Sequence, residues 1–288
     1  MKAHILVTGG TGFIGAALIK VVRAAGYKVT SVSRSQTIDK DHFSLDLANK
    51  DYVANFVRNL EPVTTIIHCA AIAHGENPPK NYSVSELNTL ILENLISSFG
   101  YLQPHWIFLS SVSVYGVGYE KNPVQIIVLP ETKDDYGAGK LRDEQRLLSK
   151  CDNLDILRLM PTYDSDHMAD VKKRIFFPKT NIKFRIFPSP SYALCNVSIV
   201  GDAVLKCLNG IPGRRLHQVG DALPISQRDL LDKFPGFTIT IPQLLIKICI
   251  KLIPLNLKLG YGVRLLLKKL ALPNIYELGI RDLPKRKA

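Results

Sequence analysis

The apolar run His4-Ile5-Leu6-Val7-Thr8 leads straight into Gly9-Gly10-Thr11-Gly12-Phe13-Ile14-Gly15, and that turn opens a helix-period segment from Phe13 to Ala25. No other stretch of the chain restricts its fold as much. Gly9 suits a tight turn, Gly12 lets the backbone approach a diphosphate, and Gly15 permits close helix-to-strand packing. The start of the helix offers unpaired N–H groups and the positive end of a dipole, so an anion fits there. This strand-turn-helix unit predicts a dinucleotide cradle.

Downstream, apolar runs of strand type alternate with segments of helical period. Lys28 to Ser33, Val63 to Cys69, His105 to Ser110 and Leu154 to Leu159 read as strands, and Asp51 to Leu60, Ser85 to Phe99 and Tyr136 to Ser149 as helices. Such alternation predicts an α/β fold, a doubly wound parallel sheet of the Rossmann type. After Met160 the rhythm is broken by Pro161, Pro178, Pro188 and Pro190. We therefore expect a dinucleotide-binding domain over residues 1–160 and a smaller mixed α/β substrate lobe over 161–288.

Hydrophobic residues make up 46% of the 288 and charged residues 22%, enough for a sizeable core and no case for global disorder. The five cysteines stand apart, with no Cys-x-x-Cys pair and no metal-ligand spacing, so they read as reduced thiols and no metal is expected. The opening apolar run is interrupted by glycines, which argues against a signal peptide. A net charge of +12 attracts anions. No nucleic-acid motif or basic-aromatic interleaving accompanies it, so a nucleic-acid partner is not expected.

Where the second strand ends, a carboxylate would grip the adenosine ribose, but the sequence reads Val32-Ser33-Arg34-Ser35. An Arg without an acid favours a 2′-phosphate, hence NADP, with NAD as the alternative. Asp46, in Leu45-Asp46-Leu47, could reach the adenine amino group or could serve as a helix cap.

Tyr136-Gly137-Ala138-Gly139-Lys140 sets a phenol and an ammonium four residues apart, on one face of a helix. A neighbouring ammonium favours phenolate, so the spacing predicts a lowered tyrosine pKa and a proton-transfer pair. Upstream, Leu109-Ser110-Ser111-Val112-Ser113-Val114-Tyr115-Gly116 brings hydroxyls to the carboxyl edge of the sheet, where ligands bind in such folds, and Ser111 is the candidate polariser of a substrate oxygen.

Together the glycine turn, His68-Cys69-Ala70-Ala71, Asn88, the Ser-Ser-Val-Ser-Val-Tyr-Gly run and Tyr136 to Lys140 resemble the extended short-chain dehydrogenases, the nucleotide-sugar epimerase/dehydratase superfamily. The likeness runs from Met1 to about Leu208. It implies Ser111, Tyr136 and Lys140 as the catalytic triad, with Tyr136 and Lys140 also touching the cofactor. Cofactor contacts are expected from Gly9, Gly12, Phe13, Ile14 and Gly15 in the turn, from Arg34, Asp46 and Leu47, and from Ala70 and Ala71. Asn88 is implied as a support of the active-site strand, and pairing of two copies is implied through the helices that carry Asn88 and Tyr136. Gly139 departs from the Ser of many relatives, and Leu159 to Ser165 keeps only part of the family's run at that place.

The sugar dehydratases of this family carry an Asp-Glu pair where this chain has Val112-Ser113, so dehydration is set aside. The form of Ile67 to His74 looks most like bacterial nucleotide-sugar 4-ketoreductases of the UDP-N-acetylquinovosamine dehydrogenase kind. Reduction of a 4-keto sugar by hydride transfer is therefore the expected reaction, in cell-envelope polysaccharide synthesis, on a UDP-linked substrate in the cytoplasm. The alternatives are an NAD-dependent 4-epimerase and a non-catalytic cofactor-binding scaffold. His74 could contact substrate or simply face solvent.

Ile241 to Leu272 is rich in Leu, Ile and Lys, and reads as two amphipathic helices separated at Pro254 and Gly260. No apolar run is long enough to span a bilayer. The segment either caps the substrate lobe or lies on a membrane surface as a peripheral anchor, and the sequence leaves both open.

Overall fold

The computed structural model describes residues 3–72, 81–116, 123–128, 130, 132, 134–253 and 258–285, with backbone only for 258–262. The chain begins β1 (His4–Thr8), α1 (Phe13–Ala24), β2 (Lys28–Ser33), β3 (His42–Ser44), α2 (Lys50–Asn59), β4 (Thr65–His68), α3 (Val84–Phe99) and β5 (His105–Ser111). A 3-10 turn over Val112–Tyr115 precedes α4 (Asp135–Lys150) and β6 (Leu154–Leu159). Short elements follow: β7 (Thr162–Tyr163), α5 (Ala169–Lys172), β8 (Lys183–Phe187), β9 (Ser191–Tyr192) and β10 (Cys195–Asn196). The chain closes with α6 (Val197–Asn209), β11 (Arg214–Val219), β12 (Ile225–Ser226), α7 (Gln227–Asp232), β13 (Thr238–Pro242), α8 (Gln243–Leu252), α9 (Lys258–Ala271) and β14 (Gly279–Asp282).

Eight strands form one sheet in the order β14-β11-β6-β5-β4-β1-β2-β3. Its pairs are parallel except β11 with β14. Strands covered on both faces need apolar residues at successive positions, and β1 and β6 are buried along their whole lengths. The order reverses at β1, with β2 and β3 to one side and β4, β5 and β6 to the other. Ligands bind at such a switch point, in the crevice beyond the carboxyl ends of the strands.

Alternation along β1 divides the core. Ile5 and Val7 pack with Leu18 and Val22 of α1 and with Val200 and Val204 of α6, while Leu6 meets Val53 and Val57 of α2 and Leu92 and Leu95 of α3. Each of these buried side chains contributes roughly 1.5–3 kcal/mol relative to exposure. The helix starts are fixed locally. Ser83 and Glu86 form a reciprocal capping box at α3, and Asn49 caps α2 by accepting from the N–H groups of Asp51 and Tyr52.

The sheet does not end at residue 160. α6, β11 and β14 return to it, while the lobe takes α5, α7, α8, α9 and the small strand pairs. β11 reads Arg214-Arg215-Leu216-His217-Gln218-Val219, too polar for an ordinary central strand, because it serves a buried charge on its neighbour. Asp155 of β6 is fully buried. It accepts from Arg215 Nε at 2.7 Å and Nη2 at 2.9 Å, from His105 Nε2 at 2.8 Å and from His217 Nε2 at 2.6 Å. Three adjacent strands are thereby stapled through one carboxylate.

The lobe has its own apolar centres, one around Val171, Ile175, Tyr192, Leu230 and Leu231 and another around Phe184, Ile186, Ile246, Ile250 and Ala271. Two helices occupy the 241–272 interval, but Gly260 lies inside α9 and does not separate them. A glycine costs a helix about 1 kcal/mol relative to Ala without ending it.

Candidate active site

The glycine turn lies at the switch point, and its side-chain-free positions are required by contact. Gly9 has φ +71°, and a Cβ there would lie 2.8 Å from the Ala70 backbone. A Cβ on Gly15 would lie 2.2 Å from the Gly9 carbonyl oxygen. Gly12 is the N-cap of α1, with no side-chain cap and no acid in the first turn. The first N–H groups of α1, those of Phe13 and Ile14 among them, thus face the crevice side uncapped, as a diphosphate requires. The Phe13 ring stacks on His167 with centroids 4.0 Å apart, joining the turn to the lobe. Ile14 packs against the core. This cradle fits a nicotinamide dinucleotide.

Ala70 donates its N–H to Thr8 Oγ1 at 3.1 Å, and Thr8 Oγ1 lies 2.8 Å from His68 Nδ1. Burial and then the Lys140 charge lower the His68 pKa to about 3, so the ring is neutral. The sequence pattern assigned no role to the Thr8 and His68 side chains. Their signal was a polar residue closing an apolar run, Ile5 to Val7 before Thr8 and Ile66 to Ile67 before His68. Ala71 is exposed beside them. Asn88 of α3 accepts from the Ile72 N–H at 2.7 Å and donates to the Ile72 carbonyl at 3.2 Å, so it pins the segment after β4 rather than β5. His74 lies outside the described residues.

At the far end of the crevice, Arg34 is exposed just after β2. Beneath it is a polar group with no carboxylate: Thr11 donates to Ser33 at 2.9 Å, and His42 lies 3.2 Å from the same hydroxyl. The nearby acid Asp39 is held by Arg23 at 2.7 Å, and that hydrogen bond keeps its carboxyl below the usual range. Asp46 is exposed and accepts the Ala48 N–H at 3.0 Å, a turn ahead of α2. Leu47 is buried, and Asn94 of α3 donates to its carbonyl at 3.0 Å.

Ser111 ends β5, and its Oγ accepts the Ser113 N–H at 3.1 Å. Helix α4 begins against this turn because position 137 is glycine: a Cβ there would lie 2.4 Å from the Ser113 carbonyl oxygen. Tyr136, the preceding residue, lies in the first turn of this helix. One turn on, Gly139 meets Ser85 of α3, and a Cβ would lie 2.6 Å from that of Ser85. The departure from Ser at 139 therefore reflects a close α3–α4 approach. Lys140 is buried, donates to the Leu109 carbonyl at 2.9 Å and lies 4.7 Å from the centre of the Phe108 ring.

The electrostatics correct one expectation. Tyr136 and Lys140 do share a helix face, but the phenol's pKa is pushed up to about 12, not down. Burial is the main cause, and the carboxylates of Asp134, Asp170 and Asp143 add to it. Burial also lowers the pKa of Lys140, against the opposing pull of Asp143, Cys69 and Glu144. The thiol of Cys69, a partly buried residue, is raised to about 12 by its desolvation and stays protonated.

A doubly wound sheet with an uncapped glycine turn at its switch point and a Tyr-x-x-x-Lys helix beside a serine defines the extended short-chain dehydrogenase class. A model of the NAD dependent epimerase/dehydratase family matches residues 5–156, and the chain belongs to that family. It is 29% identical over 170 residues to the UDP-glucose 4-epimerase of Vibrio cholerae, covering 56% of this chain and 52% of that protein. The chain thus spans about half the length of the curated relative it matches. A short-chain dehydrogenase/reductase superfamily protein from Agrobacterium tumefaciens with bound NAD superposes with TM-score 0.71 at 18% identity, covering 83% of this chain and 86% of that one. The UDP-glucose 4-epimerase of Thermus thermophilus, in complex with NAD, gives TM-score 0.66 at 21% identity and covers 83% and 86%. These two likenesses are of fold.

Proposed function

We propose that this protein is a nicotinamide-dependent oxidoreductase that reduces a 4-keto group on a UDP-linked sugar. What supports the reading is that Ser111 closes β5, that Gly137 seats the start of α4 against the Ser113 carbonyl in the turn after it, and that Tyr136 and Lys140 lie one helical turn apart on α4. A nicotinamide cofactor held by the turn over residues 9–15 would supply the hydride. Tyr136 gives its proton to the carbonyl oxygen as that oxygen becomes a hydroxyl, and Ser111 Oγ hydrogen-bonds the same atom. Lys140 favours the phenolate left behind by its charge.

The raised phenol pKa suits this direction, since reduction needs a tyrosine that is protonated at neutral pH. Exposed Arg34, with no competing carboxylate in the group beneath it, supports NADP as the cofactor. A second reading is an NAD-dependent 4-epimerase. It is favoured by the likeness to the Vibrio cholerae UDP-glucose 4-epimerase and by the NAD bound in the two structural neighbours. We place either activity in the cytoplasm and infer a homodimer paired across α3 and α4, which light scattering tests.

The deciding experiment offers the purified protein UDP-4-keto and UDP-4-hydroxy sugars with NADPH or NADH. The first reading expects stoichiometric NADPH consumption on the ketone, and Tyr136→Phe should lower kcat on the order of 10²–10⁴-fold with cofactor affinity retained. Interconversion of 4-hydroxy epimers on retained NAD, with no net consumption, establishes the second reading. Full activity in Tyr136→Phe removes both.

A further inference from the structure

The lobe presents an apolar surface that neither the proposed reaction nor the fold uses. Helix α8 is divided lengthwise into three strips. Ile246 and Ile250 face inward onto Phe184 and Ile186 of β8. On the opposite side Leu244, Ile248 and Leu252 recur every four residues and are 69%, 45% and 76% exposed, with Leu245 beside them at 54%. Lys247 and Lys251, also exposed and four apart, run along one border of that strip. Neighbouring segments carry further exposed apolar side chains: Phe187, paired with Pro242 just ahead of α8, Phe237, just ahead of β13, and Val263 and Leu266 of α9.

The charge around this surface has one sign. From Phe234 to Tyr276 the sequence holds no Asp or Glu, while it holds Lys247, Lys251, Lys258, Arg264, Lys268 and Lys269. Among the described residues no helix is long and apolar enough to cross a membrane. An exposed apolar strip bordered by cations has the make-up of a helix that lies in the plane of a bilayer, with its leucines among the acyl chains and its lysines at the head groups.

We propose that the α8–α9 face docks on an anionic lipid surface. Charge disfavours a second copy of the chain as its occupant. Packed antiparallel across a two-fold axis, two α8 helices would set their lysine borders together with no acid from this segment to neutralise them. Anionic head groups neutralise them directly. The sequence left the segment as either a cap on the lobe or an anchor. The inner strip of α8 packs on β8, and the outer strip is free for the second role.

The test is co-sedimentation of the full-length protein with vesicles of phosphatidylcholine and phosphatidylglycerol in equal parts, and with phosphatidylcholine alone. Binding to the mixed vesicles should exceed binding to the neutral ones by roughly tenfold or more at low salt, and should weaken as salt rises. Leu244→Asp/Leu252→Asp should abolish it, and Lys247→Glu/Lys251→Glu should weaken it by roughly tenfold. All four positions are exposed, so an unchanged thermal melt serves as the folding control. The readout is independent of the catalytic reading. Equal binding by the leucine variant, no binding of the wild type to mixed vesicles, or a dimer that this variant converts to monomer would each overturn the proposal.

Discussion

Arg158 of β6 holds Glu144 of α4 through two hydrogen bonds, Nε to Oε1 at 3.0 Å and Nη2 to Oε2 at 2.6 Å, with both side chains buried. Ser110 Oγ donates to the same Glu144 at 2.5 Å, and Arg158 Nη1 donates to the Tyr115 hydroxyl at 2.7 Å. The group ties α4 to β5, β6 and the turn after β5. Glu144 lies one helical turn beyond Lys140, so this tie sets where α4 stands.

A buried pair loses most when only one partner goes, because the other charge is left without compensation. Glu144→Leu should therefore lower stability by about 3–5 kcal/mol, while Glu144→Leu with Arg158→Met should recover a large part of that loss. Urea unfolding of the four proteins of the cycle measures it. Additive losses would show that the pair is not coupled.

Helices α3 and α4 meet where Gly139 faces Ser85. Restoring the Ser that many relatives carry at 139 should force the two helices apart and lower stability by about 1–3 kcal/mol. Adding Ser85→Gly should relieve the overlap. A thermal melt of Gly139→Ser that matches the wild type would mean the helices yield at no cost.

The Tyr136 phenol should remain protonated in the cofactor-free protein at pH 10, where an ordinary phenol is half ionised. Its folded pKa, about 12, lies above the unfolded value, so the stability it contributes is intact below about pH 10 and lost as pH rises toward 12. Ultraviolet difference spectra, wild type minus Tyr136→Phe, follow this one group. Asp170→Asn should move its midpoint downward, since the Asp170 carboxylate is one cause of the shift.

What could be read from the sequence was what local pattern determines. β1, β4, β5 and β6 lie where continuous apolar runs occur, and Tyr136 and Lys140 share a face because their spacing matches a helical turn. The direction of the Tyr136 shift was not legible. It depends on burial and on Asp170, which the lobe brings in from far along the chain. β11 was hidden for a related reason: Arg215 is drawn inward and His217 buried because Asp155 lies on the neighbouring strand. Proline breaks after Met160 concealed the return of α6, β11 and β14 to the main sheet, since strand order is fixed by packing partners distant in sequence.

Asp155 makes the last relationship testable by acid. Burial by itself would raise its pKa, but hydrogen bonds from Arg215, His105 and His217 outweigh burial and hold the carboxyl well below the usual range. Cys207 also faces this group, with its thiol pushed up by burial and by the Asp155 charge. A depressed folded pKa gives stability that is present above the unfolded value of about 3.9 and is lost as pH falls below it. Asp155→Asn should therefore be less stable than the wild type at pH 7 by about 3–5 kcal/mol. That gap should close by about 1.4 kcal/mol for each pH unit below about 3.9. Carboxylates outside this group titrate alike in the two proteins, so urea midpoints compared between about pH 4 and about pH 2.5, below the histidine range, follow this one. A gap that stays constant over that range would place the stabilising charge elsewhere than on Asp155.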